Sequence, residues 1–372
     1  MRRVLPVVWV VWMVTVAHGR QYGRRVLVAT AILLLVAALV WSGVRRPSIL
    51  ILHSQNERIP WTRGIDAGID RILDPKSGIR LQRVYLHGDN EERAVTQMAE
   101  VRGFIARWRP DVVLAVDDLA QAQVGAAYLA QGAPQIVYSG IEDRERTLSS
   151  SAMPHIRGIA ERTPWAIVER SLLQLAALSS AQAPASNPPR PRRMALISDT
   201  GPAAAEEAKG FASHVWQAAQ PVGVWHCATL AQWQQALDDI AQQADVVVIG
   251  DYRNLARPEG WSRSSWRKML ANTALERLHL PMTALSAYAV SDGIPMGILP
   301  SPIEQGEVAA QMALQVSRAG AGITSLPGQH ALTQDFALIL NPPQMQQRQL
   351  SLGAMDAYYA RISGRLIGSA LP

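Results

Sequence analysis

The chain has 372 residues and a formal net charge of +6, with 36 basic residues against 30 acidic ones. Seven of the basic residues, all arginines, precede residue 47 with no acid among them, so the remainder holds 29 basic against 30 acidic residues and lacks the basic stripe a polyanion reader needs. Nucleic acid is therefore excluded as the expected partner, and the single cysteine, Cys227, excludes both an intrachain disulfide and a lipid-bearing cysteine after a signal segment.

The uncharged run Val26 to Trp41 is bracketed by Arg24-Arg25 and Arg45-Arg46 and is long enough, as a helix, to cover most of a bilayer's hydrocarbon core. It reads as an N-terminal transmembrane signal-anchor. Arg20, Arg24 and Arg25 before it outweigh Arg45 and Arg46 after it, which anchors the chain in the inner (cytoplasmic) membrane with the main domain on the periplasmic side. Val40-Trp41-Ser42 also offers a small-residue cleavage site, and release to the periplasm is the alternative. The earlier run Val4 to Ala17, interrupted by Pro6, is either a marginal first helix or part of an over-long start.

From Ser48 short β-branched runs alternate with longer amphipathic ones. Strands are expected at Ile49–Leu52, Leu81–Leu86, Val112–Val116 and Gln135–Tyr138, with helices at Thr62–Leu73, Glu91–Trp108 and Leu119–Ala130. The Pro-, Ala- and Ser-rich stretch Ser179–Arg193 reads as a solvated loop. A second series follows, with strands at Met194–Ile197, Val222–Trp225, Val246–Ile249 and Met282–Leu285, and helices at Ala203–Ala219, Leu230–Gln243 and Trp266–Leu278. Continuous apolar strands separated by helices predict parallel sheets covered on both faces, and two such series predict an α/β chain of two Rossmann-like lobes around a ligand cleft.

Ligands of open parallel sheets sit beyond the carboxyl ends of the strands. That rule selects Ser54, Asp117, Asp118, Ser139, Gly140, Asp199, Thr200, Tyr252, Arg253, Ser286 and Tyr288, to which Trp61 is added as an aromatic wall ahead of the first helix. Asp117-Asp118 suit an ammonium group or a cation, unless Asp118 caps the following helix. Arg253 suits a ligand carboxylate, unless it pairs with Asp251. Trp61 either stacks on a planar ligand or plugs the lobe edge. Ser139 and Gly140 offer hydroxyl and backbone donors, and Tyr288 serves either as a ligand contact or in a hinge.

Ile49-Leu-Ile-Leu-His-Ser54 with Pro60-Trp61-Thr62, Arg109 to Asp118, Pro134 to Gly140, Gly250-Asp-Tyr-Arg-Asn-Leu255, Ser291-Asp-Gly293 and Glu304-Gln-Gly306 resemble, in order, blocks of the ABC-transporter substrate-binding family related to tryptophan- and tyrosine-binding proteins. The resemblance implies a type I periplasmic-binding-protein fold in which the chain crosses between lobes three times. It assigns 47–160 and 295–320 to lobe one, 161–294 and 328–345 to lobe two, and 346–372 to a tail helix. It also implies a small-molecule ligand, amino-acid-like, and an ABC permease subunit as partner, or a sensory membrane protein in the alternative reading.

No catalytic role is expected. The eight histidines lack metal-ligand spacing, so neither a metal nor a cofactor is expected, and no Walker loop, G-x-G-x-x-G turn or G-x-S-x-G elbow occurs where it would act. His53 and Ser54 are adjacent on a strand and face opposite ways, which excludes a direct nucleophile–base pair.

Overall fold

The computed structural model describes residues 28–36, 46–74, 78–86, 91–128, 133–141, 156–179, 191–319 and 330–350. The first of these stretches is a helix, α1, whose apolar side chains, among them Ile32, Leu33 and Leu34, are exposed. The rest of the expected membrane helix Val26–Trp41 and all of Val4–Ala17 lie outside the described residues. Among the described residues no helix is long and apolar enough to cross a membrane.

Lobe one contains β1 (Ser48–His53), α2 (Pro60–Ile72), β2 (Arg80–Tyr85), α3 (Glu91–Trp108), β3 (Val112–Val116), α4 (Asp117–Tyr128), β4 (Gln135–Ile141) and β5 (Ile156–Ala160). Lobe two contains α5 (Trp165–Ser179), β6 (Arg192–Ser198), α6 (Pro202–Ser213), β7 (Ala219–His226), α7 (Leu230–Gln243), β8 (Val246–Ile249), α8 (Arg263–Arg277), β9 (Met282–Ala284), α9 (Ala287–Asp292) and β10 (Met296–Pro300). The chain then returns to lobe one as α10 (Pro302–Ala319) and β11 (His330–Leu332), and finishes in lobe two as β12 (Phe336–Leu340) and α11 (Pro342–Gln347).

The sheet orders are β11-β5-β4-β3-β1-β2 and β12-β10-β9-β8-β6-β7, so the two lobes repeat one topology. The first sheet is wholly parallel, and in the second only the β10/β12 pair is antiparallel. Every residue of β1, β3 and β8 is buried, which explains why these strands read as unbroken apolar runs: helices cover both faces of each sheet. Strand order reverses between β1 and β3 in lobe one and between β6 and β8 in lobe two, placing Ser54 and Asp117, and Asp199 and Asp251, at the two switch points.

The larger departures from expectation are two lobe boundaries and one helix end, while α8 and β7 each begin three residues earlier than expected. Residues 295–300 stay with lobe two, because β10 completes its sheet and the crossing comes at Ser301, while 330–332 belong to lobe one as β11. The helix expected over 203–219 stops at Ser213. His214 is extended, the Trp216 indole turns back to donate to the Phe211 carbonyl, and Glu169 Oε1 accepts the N–H groups of Gln217, Ala218 and Ala219. Those contacts start β7 at Ala219. Of the expected tail, residues 351–372 lie outside the described residues.

The three crossings are bonded to one another. Thr333 N–H and its hydroxyl both donate to the Ala160 carbonyl, Ser301 N–H donates to the Asp335 carbonyl, and the Glu304 carboxylate accepts the N–H groups of Gln334 and Asp335. Arg162 donates to the Gln334 amide oxygen at 2.8 Å.

Candidate functional site

Lobe one gathers its candidates into two tight groups. Ser54, almost fully buried, donates to the Val116 carbonyl at 2.7 Å and accepts from Ala120 N–H at 2.9 Å, tying the end of β1 to the start of α4. Asp117 has a left-handed backbone, φ 66°, and its Oδ1 accepts the Trp61 indole N–H at 3.0 Å. Gly140, with φ 66°, makes room for it, since a Cβ there would lie 2.7 Å from that oxygen. Ser139 Oγ donates to Gln305, and Gly140 N–H donates to Gln305 Oε1 at 2.9 Å, so the end of β4 is bound to the returning helix α10. Asp118, half-buried, stands in the first turn of α4, where a carboxylate suits the helix's positive end.

In lobe two Asp199 is fully buried: its Oδ1 accepts Gly201 N–H and its Oδ2 accepts Asn254 N–H, both at 2.7 Å. Burial first, and the Asp251 carboxylate second, push its pKa up, against those N–H donors. Cys227 beside it is pushed up to about 11 by burial and by Asp199, and so is held as an inert thiol. Thr200 is exposed. Tyr252 lies wholly inside the lobe-two core, its hydroxyl donating to Asp292, which removes its ring from any cleft wall.

A cleft of about 700 Å³ opens at the carboxyl ends of β8 and β9, lined by Asp251, Arg253, Ser286 and Tyr288. The Asp251 carboxylate is its centre. It accepts from Arg253 Nη2 at 2.6 Å, Arg253 N–H at 2.9 Å and the Tyr288 hydroxyl at 2.7 Å, while the guanidinium lies 5.3 Å over the Tyr288 ring. Burial would raise the Asp251 pKa, but Arg253 and these hydrogen bonds overcome it and hold the carboxyl below its ordinary value. Burial and the Asp251 charge hold the Tyr288 hydroxyl well above its own. Ser286 Oγ is buried with no hydrogen-bond partner among the described residues, although Ser286 occupies the N-cap of α9.

Further lining comes from positions that the strand-end rule does not reach: Glu161, Arg162 and Gln334 on the crossings, Trp165 on α5, and Glu206, Glu207 and Lys209 on α6. These belong to helix faces and linkers, and only the fold brings them to the same opening. The signal available in sequence was Pro202 to Gly210 following a strand, with three charges spaced along one helix. Glu207 Oε2 accepts Asp251 N–H at 2.9 Å, and Lys209 pairs with Glu206 at 2.8 Å. Among the described residues the lobe-one candidates do not line this cleft, and no group of acids, histidines and cysteines is placed to hold a metal ion.

No protein-family model and no curated protein matches the chain. Solved structures do resemble it. A substrate-binding protein with adhesive properties from Clostridium difficile, ligand-free and open, superposes with TM-score 0.58 at 13% identity over 83% of this chain and 96% of that one. A domain from Streptococcus pneumonia in complex with L-Trp gives 0.54 at 12% identity over 87% and 100%, and a conserved domain protein from Vibrio cholerae gives 0.52 at 14% over 84% and 98%. At these identities the likeness establishes the fold, which is the two-lobed α/β fold of type I periplasmic solute-binding proteins.

Proposed function

We propose that the chain is an extracytoplasmic solute-binding protein of an ABC-type transport system that closes its two lobes on a small ligand and presents it to a permease subunit. The observation that carries this reading is the cleft of about 700 Å³, with Asp251, Arg253 and Tyr288 in its lining, beside three bonded crossings, a volume within the about 300–1,000 Å³ usual for small-molecule sites. Hinge closure of this kind buries a ligand between strand ends. The substrate-binding neighbours support the reading through their shared fold.

An amino-acid-like ligand suits the lining. The Arg253 guanidinium, oriented by Asp251 and Tyr288 and 42% exposed, suits a carboxylate, Ser286 Oγ supplies a hydroxyl, and the acidic groups on α6 and the first crossing suit an ammonium. Asp117, Asp118, Ser139 and Gly140 are the lobe-one groups proposed to reach the ligand on closure, and no covalent chemistry is asked of any of them. A thermal-shift screen against amino acids, nucleosides and sugars tests the proposal. One chemical class should raise the melting temperature, and Arg253→Ala should abolish that shift. No response across the whole set would remove the reading.

The second reading is a membrane-tethered sensor that signals by the same closure to a separate membrane protein. The exposed apolar side chains of α1 favour a tether, with the main domain on the periplasmic side; cleavage after that segment is the alternative. Full-length chain floating with vesicles while residues 47–372 stay in the soluble fraction would support the tether, and equal behaviour of the two would refute it.

A further inference from the structure

Trp61 belongs to the first turn of α2, yet its ring touches the interiors of both lobes. It packs against the lobe-one core cluster that includes Ile65 and Val116. It also packs against a separate apolar patch made wholly by lobe two: Val290, Leu299, Ala337 and Ile339. Leu299 lies just before the second crossing and Ala337 just after the third, so the patch sits where the lobes would turn against each other.

The ring cannot leave lobe one to follow lobe two. Its indole N–H is fixed to Asp117 Oδ1 at 3.0 Å, and Asp117 is itself constrained by its left-handed backbone and by the space at Gly140. Helix α2 is equally immobile. A Cβ at Gly68 would fall 2.1 Å from the Ile303 carbonyl oxygen and one at Gly306 would fall 2.1 Å from the Ile65 carbonyl oxygen, so α2 and α10 meet backbone to backbone. Gly64, one turn after Trp61, makes similar room for Pro302, the residue after the second crossing.

We propose that Trp61 is an interlobe latch, anchored in lobe one through Asp117 and seated by its ring on the Val290, Leu299, Ala337 and Ile339 patch, so that the chain without ligand is held in the arrangement seen here. Rotating the lobes apart uncovers ring and patch together and returns their apolar surface to water, which opposes opening. The latch therefore sets the balance between the arrangement seen here and one with the lobes rotated apart. A solute that binds only one of the two has its apparent Kd scaled by the population of that form. That consequence rests on the proposed lobe closure; the latch itself does not need a ligand.

Distances between nitroxide labels at Ala106→Cys and Gln242→Cys, one exposed site on each lobe, measured in a Cys227→Ser background without ligand, test it directly. Trp61→Ala should move the distribution to longer and broader distances, and Trp61→Phe, which keeps a ring but loses the bond to Asp117, should lie between. The lobe-two pair Val290→Ala with Ile339→Ala should give the same lengthening, and combining it with Trp61→Ala should add little, because both remove one contact. An unchanged or shortened distribution in a natively folded Trp61→Ala chain overturns the latch. Should that variant not fold, an unchanged distribution in the lobe-two pair overturns it equally. A chain that binds no solute in the thermal-shift screen can still lengthen in this measurement, so the two proposals fail separately.

Discussion

Asp251 shows how a single buried carboxylate organises a site. Only 3% of its side chain is exposed, whereas 42% of the Arg253 side chain is, so the acid depends on its arginine more than the arginine depends on it. Arg253→Ala should lower stability at pH 7, by less than the about 3–5 kcal/mol lost when a fully buried pair is broken, since water reaches the guanidinium. The folded-state pKa of Asp251 lies below its ordinary 3.8, so the charged form is bound more tightly in the folded chain than in the unfolded one. Its contribution is complete above that ordinary value and is lost as pH falls through the lower one. The melting-temperature gap between parent and Arg253→Ala, followed by calorimetry, should therefore be largest near neutrality and shrink toward acid pH as the Asp251 carboxyl takes up its proton, first in the variant and then in the parent. Asp199, whose pKa is raised, acts in the opposite sense and favours the folded chain more at low pH than at high. Tyr288→Phe removes one donor to Asp251 but keeps the ring under Arg253, so it should cost about 1 kcal/mol in a denaturant titration and weaken ligand binding less than Arg253→Ala.

Elements of this chain start and stop for local reasons where a cap exists, and for distant ones where it does not. Helix α7 begins at a capping box in which Thr229 and Gln232 satisfy each other's backbone N–H groups, and Trp233 one position on is fully buried. Thr229→Ala should cost about 1 kcal/mol by chemical denaturation. The α2–α10 contact obeys another rule, because glycines at 68 and 306 replace side chains with a carbonyl of the opposite helix. Gly306→Ala should cost at least about 1–3 kcal/mol, as overpacking does, and should loosen the returning helix on lobe one, seen as faster amide exchange in both helices. Both expected bounds of α7 coincide with the observed ones, whereas the helix expected over 203–219 overran by six residues. The difference lies in Glu169, a residue of α5 whose carboxylate collects three N–H groups far along the chain.

At the scale of the molecule, the arrangement of crossings matters more than any one contact. Gln305 links the end of β4 to Thr333 and so joins lobe one to the third crossing from inside α10. Gln305→Ala leaves the buried Gly140 N–H without its acceptor and removes the side-chain tie to Thr333, and small-angle scattering should then report a larger or more variable radius of gyration at little cost in helix content. Saturating ligand should reverse the change if closure is retained.

Periodicity and β-branched runs were enough to establish two parallel α/β lobes, because strands buried on both faces must be continuously apolar and their helices must carry one apolar stripe. The strand-end rule drew Ser54, Asp117, Asp118, Ser139, Gly140, Asp199, Thr200, Tyr252, Arg253, Ser286 and Tyr288 from chain order alone, since a switch point is a property of chain order. What only the tertiary structure decided is which of those side chains are already spent and which other residues join them. Ser54 and Ser139 are consumed in ties between elements, Tyr252 is core, and Trp61 reaches across to lobe two. Glu206, Lys209 and Arg162 arrive at the cleft from a helix face and a crossing. A side chain's direction and its hydrogen-bond partners depend on atoms tens to hundreds of residues away, and no local pattern in the chain encodes them.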